Sequence, residues 1–378
     1  MTKAAKAPAR RTSEKSAKKV AIFSFFSGGG FLDLGFEDAG FEVVLVNEIH
    51  APFMAAYKHS RKVLGHPEPR FGHDETSIDS FLAPKKLARL ADAIKELRSE
   101  GYLVGFVGGP PCPDFSVGGK NRGKTGENGR LSKSYADLIC KASPDFFLFE
   151  NVKGLWRTKK HREFYEALKK KLRANDYECF DRLTNSIEYG VAQDRDRIIL
   201  LGFRRPKRGF TVTEDDWVSH TKYPGRSAFE FAWPSPDGGA KKSDGHRPPV
   251  ELTVKHWFDR NDVTSHPNGK HCFTPRAGLA RFRSTLEGDV SRKSYKRLHR
   301  QRYSPTAAYG NNEVHLHPTQ SRRISVAEAL AIQSLPKKYE LPADMTLSAM
   351  FKLVGNGVPY VAAREIATML RGLLTRAF

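Results

Sequence analysis

Short apolar segments that alternate with segments of helical periodicity constrain the fold of this chain most. Runs rich in Val, Ile, Leu and Phe are typical of buried strands, and they occur at 19–26, 42–47, 103–107, 146–149, 177–183 and 197–203. Between two of these runs, leucines and an isoleucine recur every three or four residues and predict a helix over 85–99. Such an alternation predicts an α/β fold with a mostly parallel sheet and helices on both faces.

This rhythm ends at Arg204, and residues 205 to about 320 are irregular. The chain has 378 residues, whereas single cores stop growing at about 250–300 residues, so we expect a second domain. Helical periodicity returns at 325–334, where Ser325 and Glu328 have capping-box spacing, and at 358–374. The predicted parts are a basic tail at 1–19, a cofactor-binding domain at 20–204, a loop-rich domain with a hinge at 205–340, and a segment at 341–378 that completes the first domain.

An excess of basic residues indicates a polyanionic partner. The chain has 63 Lys and Arg against 42 Asp and Glu, a net charge of +21 and a pI near 9.8. Nucleic acid fits this charge because neutralised phosphates release counterions, although a basic surface that only favours solubility is the alternative. Residues 1–20 carry seven Lys or Arg against one Glu, which predicts a disordered basic arm. This arm would contact phosphates; a solvated tail without a role and an organelle transit peptide are the alternatives.

A second basic segment, 291–303, interleaves its cations with Tyr295 and Tyr303 and contains no acid. It predicts phosphate contacts, with a solvated helix face as the alternative. The candidate DNA-contacting residues are Arg292, Lys293, Lys296, Arg297, Arg300 and Arg302.

The cysteine and apolar patterns exclude several classes of protein. The four cysteines show no C-x-x-C spacing, so neither a disulfide framework nor a metal site is expected. No apolar run reaches the roughly 20 residues that cross a bilayer, and the N-terminus lacks the apolar centre of a secretory signal. We expect an intracellular protein without membrane contact.

A glycine-rich turn after the first apolar run predicts a nucleoside-cofactor site. Gly28, Gly29 and Gly30 lie between that run and a helix, where absent Cβ atoms let a ligand approach the backbone. Glu48 ends the second run about twenty residues later, the spacing at which a carboxylate meets a ribose hydroxyl in doubly wound folds. NAD and S-adenosylmethionine both fit this pattern, and a purely structural turn is the alternative.

A cysteine behind two prolines follows the third run, in "FVGGPPCPDFSVGG" over 106–119. The run delivers Pro110, Pro111 and Cys112 to the carboxyl edge of the sheet, where open parallel sheets bind ligands. The prolines fix backbone dihedrals, and nearby cations or helix dipoles would favour the thiolate. Cys112 is therefore a candidate nucleophile, with an inert side chain as the alternative.

Charged residues at the same edge complete the candidate site. Glu150 emerges from the apolar run 146–149, as an acid–base group or, alternatively, as a helix cap or ion-pair partner. Arg195 and Arg197 alternate onto one face at the start of the last run, with Gln193 on the same side, and the two arginines would bind a carboxylate or phosphate or form surface ion pairs.

Taken together, these motifs resemble those of the DNA cytosine-5 methyltransferases. The resemblance rests on "FSGGGFLDLGFEDAGF", "GGPPC", "ENV", "QDRDR", "HPTQSRRISVAEALAIQSLP" and "GNGVP", in the family's order. Only about 205–310 is not covered, and in the family this is the variable target-recognition domain. The chain departs from the family pattern where Ser24 replaces a common acid, Phe31 a common glycine, and Pro113 a common glutamine.

The resemblance implies a Rossmann-like, S-adenosylmethionine-dependent enzyme that methylates C5 of a flipped cytosine in double-stranded DNA. Cys112 would add to C6 of the ring, Glu150 would hold N3 and the amine, and Arg195 with Arg197 would complete the catalytic set. Phe26 would stack on the adenine, Glu48 would hold the ribose, and Asp74 would meet the adenine amine. Gly28, Gly30, Pro110 and Asn356 are the other residues that the resemblance places in the cofactor pocket.

The compact chain further resembles bacterial or phage modification enzymes of restriction-modification systems. This implies a cytoplasmic, nucleoid-associated protein that acts beside a restriction endonuclease of the same site. The alternatives are a tRNA cytosine-5 methyltransferase, a catalytically silent DNA-binding protein of the same fold, and an NAD oxidoreductase.

Overall fold

A seven-stranded sheet forms the centre of the protein. The computed structural model describes residues 18–111, 127–236, 246–275, 278–307, 309 and 313–378. The strands are β1 (Val20–Phe25), β2 (Glu42–Asn47), β3 (His73–Asp74), β4 (Leu103–Gly108), β5 (Phe146–Val152), β6 (Tyr177–Asn185), β7 (Gln193–Asp194), β8 (Asp196–Arg204) and β9 (Ser304–Pro305). The sheet order is β3-β2-β1-β4-β5-β8-β6, and β7 and β9 form a separate parallel pair. The six predicted strands are confirmed.

One strand of the sheet runs against the others. β1 to β5 pair with one another in parallel, whereas β8 is antiparallel to both β5 and β6. In the register of β5 and β8, Val152 lies opposite Arg197, and Phe146 lies opposite Phe203. The beginning of β8 therefore lies at the sheet edge where β1, β4 and β5 end. The mostly parallel sheet is confirmed, and the reversal of β8 adds a detail that the sequence pattern did not predict.

Helices cover both faces of the sheet. The described α-helices are α1 (Phe31–Asp38), α2 (Ala51–Leu64), α3 (Pro84–Ser99), α4 (Glu127–Ala142), α5 (Gly154–Arg157), α6 (Lys159–Arg173), α7 (Glu214–Val218), α8 (Val254–Asn261), α9 (Leu279–Ser284), α10 (Val326–Ile332), α11 (Leu347–Asn356) and α12 (Tyr360–Ala377), with 3-10 turns between some of them. On β5, Phe147 and Phe149 pack with α3, α4 and α6, while Phe146 and Leu148 pack with α1, α2 and α12. This alternation gives the sheet two apolar faces, as predicted.

The region after β8 consists of short helices joined by loops, and it returns to pair with β7. Its side chains form small apolar clusters around Trp233 and Trp257. The basic segment 291–303 forms no helix. The chain comes back at β9, where Ser304 pairs with Gln193 and Pro305 pairs with Asp194.

The C-terminal helices pack back onto the first part of the chain. The hydroxyl of Ser325 accepts the amide N–H of Glu328, and the Glu328 carboxylate accepts that of Ser325, so the predicted capping box is confirmed. α12 packs against α1, and Leu370 and Leu373 lie in the same core as Phe146. The division of the chain at 204 and 340 remains a prediction. Among the described helices, none has the length and apolar character of a membrane span.

Candidate active site at the carboxyl edge of the sheet

The turn after β1 has a strained backbone that leaves one side open. Phe26 and Gly28 have φ values of 56° and 55°, in the left-handed region that non-glycine residues rarely adopt. A Cβ atom added at Gly28 would meet no atom within 4 Å, so this glycine borders open space. At Gly30, by contrast, an added Cβ would lie 2.5 Å from the ring of Tyr57. Gly28 is thus suited to ligand approach, whereas Gly30 is needed for packing.

Glu48 closes one side of this turn from the end of β2. Its carboxylate accepts the amide N–H of Gly28 at 2.9 Å through one oxygen and that of His50 at 2.8 Å through the other. The residue is 8% exposed, and burial raises its pKa although these two hydrogen bonds act in the opposite direction. A buried carboxylate beside an open glycine can accept hydrogen bonds from ligand hydroxyls.

Ile49, directly after Glu48, is a neighbour that the sequence pattern did not single out. Its side chain is 63% exposed, although its residue type is usually buried. The imidazole of His50 has no described partner for its buried Nδ1. Ile49 is therefore a candidate for contact with a ligand ring beside Glu48.

Asp74, at the end of β3, lies near Glu48 in the sheet but is bound within the protein. One carboxylate oxygen accepts from the Thr76 amide at 2.9 Å and its hydroxyl at 2.5 Å, and the other pairs with Lys86. Burial acts to raise its pKa, yet the bonds to Lys86 and Thr76 lower it overall. The Asn47 side chain also donates to the Asp74 carbonyl at 3.0 Å. Asp74 therefore holds the loop after β3 in place.

A buried polar group supports the glycine turn from behind. The Asp33 carboxylate accepts from the Ser24 hydroxyl at 2.7 Å and the Tyr57 hydroxyl at 3.0 Å. Burial raises the pKa of Asp33 to about 6, although Arg61 lowers it. Arg61 donates to the Gly30 carbonyl at 3.2 Å and pairs with Glu37. The sequence contains a signal for this group, because Ser24 replaces an acid that is common in the family. The Asp33 carboxylate, which accepts from Ser24, lies beside that position.

Glu150 and Arg197 meet at the other half of the edge. They lie on the neighbouring strands β5 and β8, and Arg197 Nε lies 2.7 Å from Glu150 Oε1. The second oxygen, Oε2, would lie 2.6 Å from a Cβ at Gly109, so a side chain at this position would force the carboxylate to move. No described residue donates a hydrogen bond to Oε2. The pair therefore presents one held and one open carboxylate oxygen next to the end of β4.

Pro110 anchors the chain that leads away from β4 towards Cys112. It is buried, and its carbonyl accepts from the Asn151 side chain at 3.4 Å. Asn151 directly follows Glu150, so "GGPP" and "ENV" are joined at the edge. Cys112 itself lies outside the described residues.

Arg195 is buried in a different setting from Arg197. Its guanidinium donates to the carbonyls of Ala307 at 2.9 Å and Gly355 at 2.8 Å. Burial lowers its pKa, and Arg197 acts in the same direction. Arg195 thus joins the start of β8 to the returning chain and to the C-terminal "GNGVP" motif.

Two glutamines extend this junction. Gln193 accepts from the Ala307 amide at 3.2 Å and donates to Gln333 at 3.2 Å, and Gln333 donates to the Val354 carbonyl at 2.5 Å. Asn356, at the end of α11, is exposed. Sequence reasoning placed Gln193 on this face but missed Gln333, which is far away in the chain and lies in an apolar helix pattern.

The candidate DNA-contacting segment divides into exposed and buried cations. Arg292, Lys293, Lys296, Arg300 and Arg302 are exposed or half-buried, and Arg300 pairs with Glu287. Arg297, in contrast, is 5% exposed and donates to the carbonyls of Phe282, Thr285, His317 and Gln320. Because its guanidinium faces the interior, we leave Arg297 out of the phosphate contacts proposed below.

Comparison with known proteins was informative over nearly the whole chain. Residues 20–371 match the family described as C-5 cytosine-specific DNA methylase. The chain is 57% identical over 358 residues to the Type II methyltransferase M.NmeDI of Neisseria meningitidis serogroup C, covering 94% of this chain and 84% of that protein. It is 28% identical over 368 residues to the Type II methyltransferase M.FnuDI of Fusobacterium nucleatum, covering 94% and 95%.

A solved structure gives the same overall fold. It is that of a proposed DNA modification methyltransferase encoded within an E. coli prophage, and it aligns with a TM-score of 0.66 at 21% identity. The alignment covers 94% of this chain and 100% of that structure.

Proposed function

The chain belongs to the C-5 cytosine-specific DNA methylase family, and from this premise we propose that it methylates C5 of a flipped-out cytosine in duplex DNA through a covalent bond between Cys112 and C6. The observation that carries this proposal is the Glu150–Arg197 pair at 2.7 Å, which leaves Glu150 Oε2 open at the edge that leads to Cys112.

Covalent catalysis is needed because C5 of cytosine is a weak nucleophile. Attack of the Cys112 thiolate on C6 makes C5 electron-rich, so that C5 can accept a methyl group. A base, such as water, then removes the C5 proton, and elimination frees the thiol. The chain "GGPPC" fits this task because Asn151 fixes the carbonyl of Pro110, two residues before the nucleophile.

Glu150 would bind the polar edge of the cytosine. Arg197 holds Oε1 of its carboxylate, so that Oε2 is directed to N3 or to the exocyclic amine. Proton donation to N3 would neutralise the charge that thiolate addition places on the ring. Arg195 would act indirectly, by fixing the start of β8 to the chain at Ala307.

The glycine turn would hold S-adenosylmethionine, which supplies an electrophilic methyl group when it is bound. The residues fit this molecule, because Glu48 is a buried acceptor for ribose hydroxyls and Gly28 borders open space. Phe26 and the exposed Ile49 would cover the adenine. We propose an indirect part for Asp74, because one of its oxygens accepts two hydrogen bonds from Thr76 and the other pairs with Lys86, whereas each oxygen of Glu48 accepts a single hydrogen bond.

The basic charge supports duplex DNA as the substrate. C5 is inaccessible in stacked DNA, so the base must leave the helix at a cost of a few kcal/mol. Contacts of phosphates with the exposed cations of 291–303 would offset this cost, and loops of the region 205–340 that lie on the side of Glu150 would read base edges. The exposed cations of 291–303 belong to this proposed surface.

The names of the relatives support a modification role. M.NmeDI and M.FnuDI are both Type II methyltransferases, which is consistent with a restriction-modification system. A restriction endonuclease of the same site would be the partner, and the bacterial nucleoid the place of action.

Trapping with fluorinated cytosine tests the proposal. Duplex oligonucleotides of mixed sequence that contain 5-fluorocytosine should form a denaturation-resistant adduct at Cys112 in the presence of S-adenosylmethionine, because fluorine cannot leave as a proton would. The Cys112→Ser variant should bind DNA and form no adduct. Absence of an adduct with the unaltered protein would contradict the covalent mechanism, and adducts with tRNA in place of DNA would favour the tRNA alternative.

A further inference from the structure

A second basic surface follows the catalytic strand directly. Between Lys153 and Arg162 the chain carries five cations and no acid, and we call this group the basic ridge: Lys153, Arg157, Lys159, Lys160 and Arg162. All five residues are exposed. Because β5 ends at Val152, the ridge begins three residues after Glu150, at the catalytic edge of the sheet.

The cations of the ridge are poorly neutralised. Lys153 pairs with Asp196 at 2.9 Å, but Asp196 also pairs with Arg226 at 3.2 Å, so two half-exposed cations share one carboxylate. Among the described residues, no carboxylate pairs with Arg157, Lys159 or Lys160. The ridge is therefore a concentration of positive charge for which the described part of the protein supplies one shared carboxylate, Asp196.

The position of two of these lysines is unfavourable for the protein alone. Lys159 and Lys160 are the first two residues of α6, and the first turn of this helix contains no acidic residue. The N-terminus of a helix carries partial positive charge, so cations there repel it and an external anion would relieve the repulsion. Thr158 caps the helix by accepting the amide N–H of His161 at 3.2 Å, which leaves the lysine side chains free for an external ligand.

We propose that the basic ridge binds the phosphates of duplex DNA beside the flipped cytosine, as a second contact surface separate from 291–303. This proposal rests on the proposed function, which brings the target strand to Glu150. Lys153 lies roughly 10 Å along the chain from Glu150 at the rise of an extended strand, and duplex DNA carries one charge per about 1.7 Å of its axis. Phosphates near the target base are therefore within reach of the ridge.

The protein contains a matched control at the opposite sheet edge. Lys207 and Arg208 are also exposed and form no ion pair with a described residue. They follow β8, whose last residues lie opposite the beginning of β5, where Phe203 pairs with Phe146. The variants Lys159→Gln/Lys160→Gln and Lys207→Gln/Arg208→Gln remove the same charge from the two edges.

Salt-dependent binding of the full chain to a mixed-sequence DNA duplex tests the ridge. In the ridge variant, the slope of log K against log salt should flatten by about 0.9 for each lost contact, with roughly tenfold weaker binding per contact at 0.1 M salt. The KM for DNA should rise while the single-turnover rate at saturating DNA stays within twofold. The control variant should match the unaltered protein.

Charge reversal sharpens the test. Lys159→Glu/Lys160→Glu should weaken DNA binding more than the glutamine variant, with unchanged S-adenosylmethionine affinity as evidence of an intact fold. Equal salt slopes for ridge, control and unaltered protein would overturn the proposal. Failure of the proposed function gives a different result from failure of the ridge proposal. In that case the unaltered protein would methylate no DNA, whichever salt dependence of DNA binding is measured.

Discussion

The two halves of the sheet edge treat their carboxylates differently. In the cofactor half, Glu48 and Asp74 have both oxygens bound by groups of the protein. In the catalytic half, Glu150 has one oxygen held by Arg197 and one without a described donor. The proposed cofactor half is thus built by folding, whereas the proposed catalytic half has a carboxylate oxygen for which no described residue is a donor. Changes in the first half should affect folding and cofactor affinity, and changes in the second should affect turnover alone.

The largest effect should follow from Glu150→Gln. The amide cannot donate an acidic proton to cytosine and loses the charge that holds Arg197, so we expect turnover to fall by about 10³, within the range for a lost acid–base group. S-adenosylmethionine affinity should stay within twofold. Single-turnover methylation and calorimetry measure these quantities, and Glu178→Gln on the exposed face of β6 is the control. Turnover within tenfold of the unaltered protein would contradict the role.

In the cofactor half, pH should act on stability through Asp33. Its pKa is about 6 in the folded protein against an ordinary 3.8, so the folded state binds more protons between these values. Stability should therefore be higher at low pH and be lost as pH rises towards 6. Relative to Asp33→Asn, the unfolding free energy should fall by about 2 kcal/mol between pH 4.5 and pH 7.

Denaturant unfolding over this pH range measures the effect of Asp33. The exposed Asp92 on α3 provides the control variant Asp92→Asn. The unfolding free energies of Asp33→Asn and the unaltered protein are compared at each pH. If their difference stays constant with pH, Asp33 does not titrate in this range.

Gly109→Ala tests how closely the catalytic half is fitted. The new Cβ would lie 2.6 Å from Glu150 Oε2, and the backbone at Gly109 is outside the left-handed region, so alanine can adopt it. The carboxylate must move, and we expect about tenfold slower methylation, equivalent to about 1.4 kcal/mol. Thermal unfolding should hardly change. Gly372→Ala in α12, where an added Cβ meets nothing within 4 Å, should leave methylation unaltered and raise thermal stability slightly, because alanine favours the helix.

The smallest effect should come from Asp74→Asn. Since the Asp74 carboxylate is occupied by Lys86 and Thr76, its loss should weaken S-adenosylmethionine binding less than threefold. Stability should fall by less than about 1 kcal/mol, as for a partly exposed ion pair. A tenfold or larger loss of affinity would instead indicate direct contact with the adenine, and would remove the contrast between the two halves.

Sequence reasoning predicted the strands and the overall fold because apolar periodicity depends on local burial. It could not predict the direction of β8, since an apolar run such as "RIILLGF" reads the same in both orientations. The two-residue strands β3, β7 and β9 are too short for any periodicity.

The candidate site was predicted in part for a similar reason. Residues at strand ends, such as Glu48 and Glu150, are marked by a charge that follows an apolar run. The partners of Asp33, by contrast, come from β1 and α2, and their meeting depends on packing that a linear pattern does not contain. Arg297 shows the converse, because a basic segment looks exposed while one of its members binds carbonyls inside the protein.

The parallel pairing of Gln193 and Asp194 with Ser304 and Pro305 has a further consequence. These residues and Arg195 hold the chain where it returns from residues 205–303. Its position at β9 therefore does not depend on the number of residues in the surface loops of that segment. Lengthening a surface excursion costs little, about 0.6 kcal/mol for each doubling. Insertions in the loops of residues 205–303 should therefore leave the pairing of β7 with β9, and the contacts that Arg195 makes beside it, unchanged.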